Sequence, residues 1–288
     1  VALPPCFTGY VMRRLPSFLV LVVLLSAAPA AAGSLQDCAG AETPQARIAV
    51  CTQAIEAKDG DGKALSPAAL AAAYIHRAAA HYDRRDYDLA IADGNRAIAA
   101  DPKSAQAHYT RARAHYRKQQ YHRALQDFSQ AIVLDPGHVR AYDGRGVTHR
   151  KLGLPDDAIK DHSKAIGLDA NFARSYRNRG NAYFYNGELK RAIADYSSAI
   201  RLAPRYPNAY GDRAAAYEQL GQSELAIADY TTLIAIDPNN ADAYASRGLA
   251  YELAGDRENA IADHRKALSL DPAHPMSRAN LQALLQAR

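Results

Sequence analysis

The sequence predicts an all-α fold in which six helical hairpins are stacked in a row. One observation is a strict period, because an Asp-Pro step or a close equivalent recurs every 34 residues through most of the 288-residue chain. A second is that apolar and small residues within each period fall at helical spacing in two stretches separated by a turn. The third is composition: no Trp and only 5 Phe accompany 18 Tyr, which suits a core of closely spaced helices.

The period determines where each hairpin lies. The step that ends a period is Asp-Pro in four places, Asp169-Ala170 in a fifth and Ala203-Pro204 in a sixth. The Pro ends the second helix of a hairpin because it lacks the N–H that a helix interior needs. We therefore expect hairpins at 71–104, 105–138, 139–172, 173–206, 207–240 and 241–274.

The hairpins share a pattern of packing residues. The first stretch has a ring, which is Tyr in five hairpins and His108 in the other, and a small residue four positions later. The second has an Ala, then an aromatic such as Phe128 or Tyr196, then a further Ala. Together with the period and the closing Pro, these features resemble the tetratricopeptide repeat over residues 71–274. The resemblance implies a right-handed superhelix whose first helices line a concave groove that binds peptides or extended protein segments.

The first 32 residues are not expected to be part of the fold. Arg13 and Arg14 are followed by an apolar run and then by small residues, which is the pattern of a secretory signal peptide. Met12 directly precedes the arginines, so we interpret 1–11 as an upstream extension and Met12 as the true start. The apolar run is short and interrupted by Pro, which disfavours an uncleaved membrane anchor. We expect an exported bacterial protein, periplasmic or secreted, with no membrane span after cleavage of 1–32.

Two cysteines remain in the mature chain, Cys38 and Cys51. In an oxidising compartment the pair suggests a structural disulfide. Lipidation at Cys38 lacks the small residues required upstream, and a redox pair normally has closer spacing. We expect the disulfide to pin an N-terminal cap at 33–70, which comprises a partial repeat and a linker. An amphipathic helix at 275–288 is expected to cap the other end of the stack.

Two charged residues recur once in every hairpin. An Arg lies in the first helix, where the family more often carries Leu, and an Asp follows 16 residues later in the second. Since a half-buried guanidinium needs a carboxylate, we predict a structural ladder of ion pairs between helices rather than a row of cations for polyanions. The spacing leaves open whether each pair lies within one hairpin or joins two. The arginines are Arg77, Arg111, Arg145, Arg179, Arg213 and Arg247, and the aspartates are Asp93, Asp127, Asp161, Asp195, Asp229 and Asp263.

Histidines share positions in successive helices and raise the alternative of a metal or cofactor site. His81, His115 and His149 occupy one column of first helices, and His162 and His264 occupy a column of second helices. Tyr or Phe fills the same columns in other hairpins, which favours histidines that pack as rings. The sequence also has no phosphate-binding loop, nucleophile elbow or HExxH pair. We therefore expect no metal, no cofactor and no enzymatic activity.

The remaining first-helix residues predict the groove. Its middle should be basic and aromatic, and its C-terminal end acidic through residues such as Asp212, Glu218, Asp242 and Glu252. We predict a protein or peptide partner, in particular an acidic segment. The predicted groove residues are Tyr109, Arg113, Tyr116, Arg117, Arg140, Arg150, Lys151, Arg174, Arg177, Asn178, Asn181, Phe184 and Tyr185.

The charge does not favour nucleic acid as the partner. Removal of Arg13 and Arg14 with the signal peptide lowers the formal net charge from +5 to +3, and an exported chain rarely meets nucleic acid. A structural role in envelope assembly, acting through the ends of the stack, is the alternative to groove binding. The sequence does not determine the oligomeric state.

Overall fold

The computed structural model describes residues 35–57 and 65–286, so the expected upstream extension and signal peptide, 1–32, lie outside the described residues. All regular secondary structure in these two segments is helical, which confirms the all-α class. The helices are α1 (Leu35–Gly40), α2 (Pro44–Glu56), α3 (Pro67–Asp83), α4 (Tyr87–Ala100), α5 (Ala105–Arg117), α6 (Tyr121–Leu134), α7 (Val139–Lys151), α8 (Pro155–Leu168), α9 (Ala173–Tyr185), α10 (Leu189–Leu202), α11 (Pro207–Gln219), α12 (Ser223–Ile236), α13 (Ala241–Leu253), α14 (Arg257–Leu270) and α15 (Pro275–Gln286).

The helices from α3 to α14 pack in consecutive pairs, each helix against the next one in the chain. We call α3–α4 the first hairpin and α13–α14 the sixth. From α3 to α11, the first helices of neighbouring hairpins also contact one another. The side on which helices crowd together is the concave side of a curved stack, so the first helices line the concave face. The arrangement is a helical solenoid, as the period predicts.

The ends of the helices explain two recurring sequence features. The Asp of the Asp-Pro step turns back on the chain, since Oδ1 of Asp135 accepts a hydrogen bond from the N–H of Gly137 at 2.9 Å. The turn inside each hairpin has one residue with positive φ, which is Gly in the last four hairpins, for example Gly153 at 76°. Arg85 and Gln119 hold this position in the first two hairpins, with φ of 67° and 59°. The turn geometry is therefore common to all hairpins, although its glycine is not.

The first hairpin begins earlier than the repeat boundary at residue 71. Helix α3 starts at Pro67 and has 17 residues, whereas α5 has 13. The hydroxyl of Ser66 caps it by accepting a hydrogen bond from the N–H of Ala69 at 3.3 Å, and Pro at the first helical position is pre-organised for a helix. One extra helical turn therefore belongs to the repeat stack rather than to the linker.

The core is built from small residues against rings. Alanines at the recurring small positions, such as Ala112 and Ala214, have no exposed surface. A Cβ on Gly180 would lie only 2.6 Å from Cε1 of Tyr196, so this ring packs directly on the backbone of the neighbouring helix. The second to sixth hairpins thus each fit one second-helix ring against a first-helix position that has little or no side chain, whereas the first hairpin has Gly94 in place of the ring.

Every recurring Arg joins the two helices of its own hairpin. Its Nε and Nη2 donate to the two carboxylate oxygens of the Asp 16 residues later, at 2.6–2.9 Å in all six hairpins. The pairs therefore lie within hairpins, the point that the spacing leaves open. Burial alone would raise the pKa of Asp161, but hydrogen bonds from His149 and Arg145 hold it below its usual range.

The same guanidinium also reaches back to the preceding hairpin. Its Nη1 donates to a small polar side chain in the preceding second helix, at 2.7–3.3 Å. Each Arg thus joins three helices, and its acceptor in the preceding second helix recurs in the sequence as a small polar residue 16 positions before the Arg in five hairpins. The acceptors are Thr52, Asn95, Ser129, Ser163, Ser197 and Thr231.

Both ends of the stack are covered. At the N-terminus, the sulfur atoms of Cys38 and Cys51 lie 2.01 Å apart, at the distance of a disulfide bond, and neither residue is exposed. A bridge across this spacing contributes about 3 kcal/mol on the chain-entropy model. At the C-terminus, Glu252 accepts hydrogen bonds from Nε2 of His264 at 2.7 Å and from Nδ2 of Asn280 in α15 at 3.0 Å. None of the described helices has the length and apolar character that a membrane span requires.

Breaking one ladder pair tests whether the ladder stabilises the stack. We expect Arg179→Leu to lower the free energy of unfolding by about 3 kcal/mol, because Asp195 is left without its ion-pair partner in a shielded site. Urea unfolding followed by circular dichroism measures this change. The double variant Arg179→Leu/Asp195→Asn should recover part of the loss, and a loss below about 0.5 kcal/mol in the single variant would contradict a stabilising role.

Candidate functional site

A cavity of about 210 Å³ lies on the concave face, between the first helices of hairpins one to four. Six of the thirteen predicted groove residues line it: Tyr109, Arg113, Tyr116, Arg140, Arg174 and Asn178. Its other lining residues are Tyr82, Phe128, Asp143, Gly144 and Val147. The cavity therefore combines aromatic walls with three guanidinium groups.

Two of these guanidinium groups have no carboxylate partner. Among the described residues, no Asp or Glu lies within ion-pair distance of Arg113 or Arg140. Arg113 is held instead by stacking, with its guanidinium carbon 4.0 Å from the centre of the Tyr82 ring. Arg140 is exposed at the start of α7. The cavity thus presents positive charge that the protein itself does not neutralise.

The third guanidinium is neutralised by a residue that the sequence prediction omits. Asp143 is buried beneath the cavity and accepts hydrogen bonds from Nε of Arg174 at 2.8 Å, from Ser175 at 2.9 Å and from Asn178 at 2.9 Å. Nδ1 of the buried His162 lies 3.2 Å from the same carboxylate. Burial would raise the pKa of Asp143, but these partners, His162 above all, hold it well below its usual range.

The sequence contains a signal for Asp143. It occupies the repeat position that Tyr109 holds in the second hairpin and Arg177 in the fourth, a position on the concave face. An acidic residue among the basic and aromatic residues of the predicted groove indicates a partner for a neighbouring cation. Asp143 therefore positions Arg174 and Asn178 at the edge of the cavity.

Asn181 lines a second concavity, and Arg177 contacts Asp212 of its lining. Nε of Arg177 donates to Asp212 in the next hairpin at 2.6 Å, and the hydroxyl of Tyr196 donates to Oδ1 of Asn181 at 2.8 Å. Burial raises the pKa of Asp212 even though Arg177 opposes the shift. The residues that line this concavity include Asn181, Phe184, Tyr185, Tyr196 and Asp212.

The remaining predicted groove residues lie away from the aromatic cavity. Nε of Arg117 donates to the hydroxyl of Tyr87 at the start of α4, so this side chain lies along the edge of the stack. Arg150 and Lys151 lie with Tyr185 beside the turn of the third hairpin. The structure thus divides the predicted set among a central cavity, a neighbouring concavity and the rim.

The acidic residues toward the C-terminal end all contact neighbouring side chains. Oε2 of Glu218 accepts a hydrogen bond from the hydroxyl of Tyr230 at 3.2 Å, and burial raises the pKa of Glu218. Asp242 lies 3.0 Å from Nε2 of His274, and Glu252 contacts His264. Charge on the concave face therefore changes from positive to negative along the stack.

The recurring histidines pack against neighbouring polar groups. Nδ1 of His115 lies 2.7 Å from Oε1 of Gln120, and Nδ1 of His149 lies 2.9 Å from Asp161. Burial lowers the pKa of His81, which favours its neutral form. Within the part of the chain that the structure describes, no group of three or more His, Cys, Asp or Glu side chains is arranged to hold a metal ion.

Replacing the buried carboxylate tests its role. We expect Asp143→Asn to lower the free energy of unfolding by about 3 kcal/mol at neutral pH, because Arg174 and His162 lose a buried anion. The pKa of Asp143 is lowered in the folded state, so its contribution is complete above the ordinary Asp value of about 4 and is lost as the pH falls below it.

The free energy of unfolding, measured from pH 7 to pH 2, should therefore decline less steeply below pH 4 in the variant than in the wild type. Asp156→Asn, at an exposed site, serves as the control and should change stability by less than about 0.5 kcal/mol. Equal acid dependence of wild type and Asp143→Asn would show that Asp143 is not a stabilising anion.

Sequence models of the tetratricopeptide repeat match the chain at residues 105–138 and 241–274, and a further model of this repeat matches 180–221 and 216–255. No curated protein matches the sequence significantly. The matches fall on the second, fourth, fifth and sixth hairpins. Repeats of this family generally serve as protein-interaction scaffolds.

Solved structures agree with these matches. The structure of MamA is 32% identical and covers 56% of this chain and 95% of its own, with a TM-score of 0.53. PilW, a type IV pilus biogenesis factor, is 19% identical over 75% of this chain and 99% of its own, with a TM-score of 0.68. YrrB is 21% identical over 66% and 97%, with a TM-score of 0.55. From its repeats and its solenoid, the chain belongs to the tetratricopeptide-repeat family.

Proposed function

We propose that this protein is a non-catalytic scaffold that binds an extended, acidic segment of a partner protein in its concave groove, over the first four hairpins. The observation that carries the proposal is the pair Arg113 and Arg140, two guanidinium groups without carboxylate partners beside an aromatic cavity. With Arg174 included, three guanidinium groups face one carboxylate, so the cavity has an excess of two positive charges. Carboxylates of a bound segment would neutralise that excess.

The groove is also partly pre-organised for such a ligand. An exposed Arg on a helix is normally mobile, and ordering it costs about 0.5–1.5 kcal/mol on binding. Stacking on Tyr82 restricts Arg113 in advance, and Asp143 does the same for Arg174. The rings of Tyr109 and Tyr116 add apolar surface of the kind that dominates binding energy in interfaces.

The structural neighbours support the same kind of role. YrrB is described as a tetratricopeptide-repeat protein with an unusual peptide-binding site, and PilW as a pilus biogenesis factor. At about 20% identity these neighbours indicate what the solenoid can host rather than which ligand this chain prefers. The preference for an acidic ligand comes from the charges of this groove.

We also propose that the protein acts in the periplasm or outside the cell. The signal-like segment 1–32 and the disulfide distance between Cys38 and Cys51 support this proposal, since disulfides persist in oxidising compartments. Cell fractionation with N-terminal sequencing measures the outcome. We expect a mature chain that starts near Gly33, and a cytoplasmic chain that retains Met12 would contradict the proposal.

Charge reversal tests the groove. We expect Arg113→Glu/Arg140→Glu to weaken partner binding at least about tenfold, since two attractive contacts become repulsive. Arg174 and Arg177 stay unchanged because they hold Asp143 and Asp212, and their reversal would disturb the fold. Affinity capture from an extract of the source organism, followed by measurement of Kd at two salt concentrations, provides the readout.

The matched control is Arg123→Glu/Arg201→Glu, which makes the same charge change at exposed sites on second helices. It should retain the partner that the groove variant loses. If the groove variant and the wild type capture the same proteins with equal affinity, the groove is not the binding site.

A further inference from the structure

The central cavity has an apolar interior beneath its charged mouth. Its walls are the rings of Tyr82, Tyr109 and Phe128 together with the side chain of Val147. Tyr109 is itself held in place, with its ring 6.0 Å from Phe128 and 4.8 Å from His138 between ring centres. Such a rigid ring-lined recess differs from the flat, solvated surface that neighbouring first helices would otherwise present.

Two residues of α7 create the recess. A Cβ on residue 144 would lie 2.6 Å from Cε1 of Phe128, so only Gly144 allows that ring to approach the concave side. Val147 occupies the repeat position of Arg113 in the preceding hairpin and is much shorter. The concave surface is therefore recessed at Val147 in the third hairpin, and the long side chain of Arg113 in the second hairpin forms one wall of the cavity.

We propose that this cavity receives one aromatic side chain of the bound segment, and that the carboxylates contacted by Arg113 and Arg140 lie within two residues of it. The inference rests on the proposed function and specifies the chemistry of the ligand. A cavity of about 150 Å³ is sufficient to hold benzene, so about 210 Å³ accommodates a Phe or Tyr ring.

Charge and shape both favour an aromatic anchor over the other side-chain classes. The excess positive charge opposes Lys or Arg at this point. A carboxylate alone would reach the guanidinium groups at the mouth and leave the ring-lined space unfilled. A ring that enters the cavity meets Tyr82, Tyr109 and Phe128 in edge or face contact, and buried aromatic anchors are the usual hot spots of interfaces.

The test is selection from phage-displayed random dodecapeptides against the folded protein. The cavity-filling variant is Val147→Trp, and its matched control is Leu249→Trp, which has the same repeat position in the sixth hairpin outside the cavity. Wild type and Leu249→Trp should enrich peptides with Tyr, Phe or Trp within two residues of Asp or Glu. Val147→Trp should retain the acidic preference and lose the aromatic one, whereas Arg113→Glu/Arg140→Glu should lose both.

One enriched peptide is then synthesised with its aromatic residue intact or replaced by Ala. The replacement should weaken binding to the wild type about tenfold or more, and binding to Val147→Trp by less than about twofold. A measurement on the wild type alone guards against misfolding of the variant. The intact peptide should shift the methyl resonances of Val147 through the ring current of its aromatic residue, and the Ala peptide should not.

The outcomes separate this inference from the proposed function. Enrichment of acidic peptides without an aromatic preference, or unshifted Val147 methyl resonances, would overturn the aromatic anchor and leave groove binding intact. Absence of any enrichment that depends on Arg113 and Arg140 would overturn both.

Discussion

The structure depends on a guanidinium group that joins three helices, the one that carries it and two that it contacts. In each hairpin the recurring Arg pairs with an Asp of its own second helix and donates to a small polar side chain of the preceding one. Alanine-rich helices bury little apolar area per residue, so packing alone would fix their relative rotation poorly. Bidentate hydrogen bonds have strict geometry and therefore set the register of the two helices within a hairpin, and the Nη1 hydrogen bond links that hairpin to the preceding one. The regular spacing of the first helices along the concave face follows from this contact.

A second buried carboxylate converts part of that regular face into a site. Asp143 lies beneath the groove and orders Arg174 and Asn178, while Arg113 and Arg140 keep their charge available. The same residue types thus have opposite roles in adjacent layers: arginines that contact buried aspartates hold the solenoid together, and arginines without such partners are available to a ligand. Exposure and pairing distinguish the two roles, whereas residue type does not.

The sequence allows the solenoid to be predicted because its period imposes the same local environment repeatedly. The Arg and Asp columns and the small packing positions follow from that repetition, whereas the cysteine pair is predicted from the signal-like segment and the oxidising compartment that it implies. Contacts between first helices of neighbouring hairpins cannot be predicted from the repeat, since they depend on how each helix is rotated. The pairs Arg174 with Asp143 and Arg177 with Asp212 span 31 and 35 residues, and no period distinguishes them from solvated charges. The central cavity could not be predicted either, because it also lies between first helices of neighbouring hairpins.

The hydrogen bond from each recurring Arg to the preceding second helix makes the stack directional, because every hairpin uses an acceptor that lies earlier in the chain. The recurring Arg of each hairpin finds its inter-hairpin acceptor in the helix that was synthesised before it, so this contact can form before the next hairpin emerges. Domains begin to fold from the N-terminus while the rest of the chain is still emerging. Helix α2 supplies the first acceptor through Thr52, and the bridged pair Cys38 and Cys51 anchors it. The contacts of the recurring arginines can therefore form in the order in which the polypeptide is delivered.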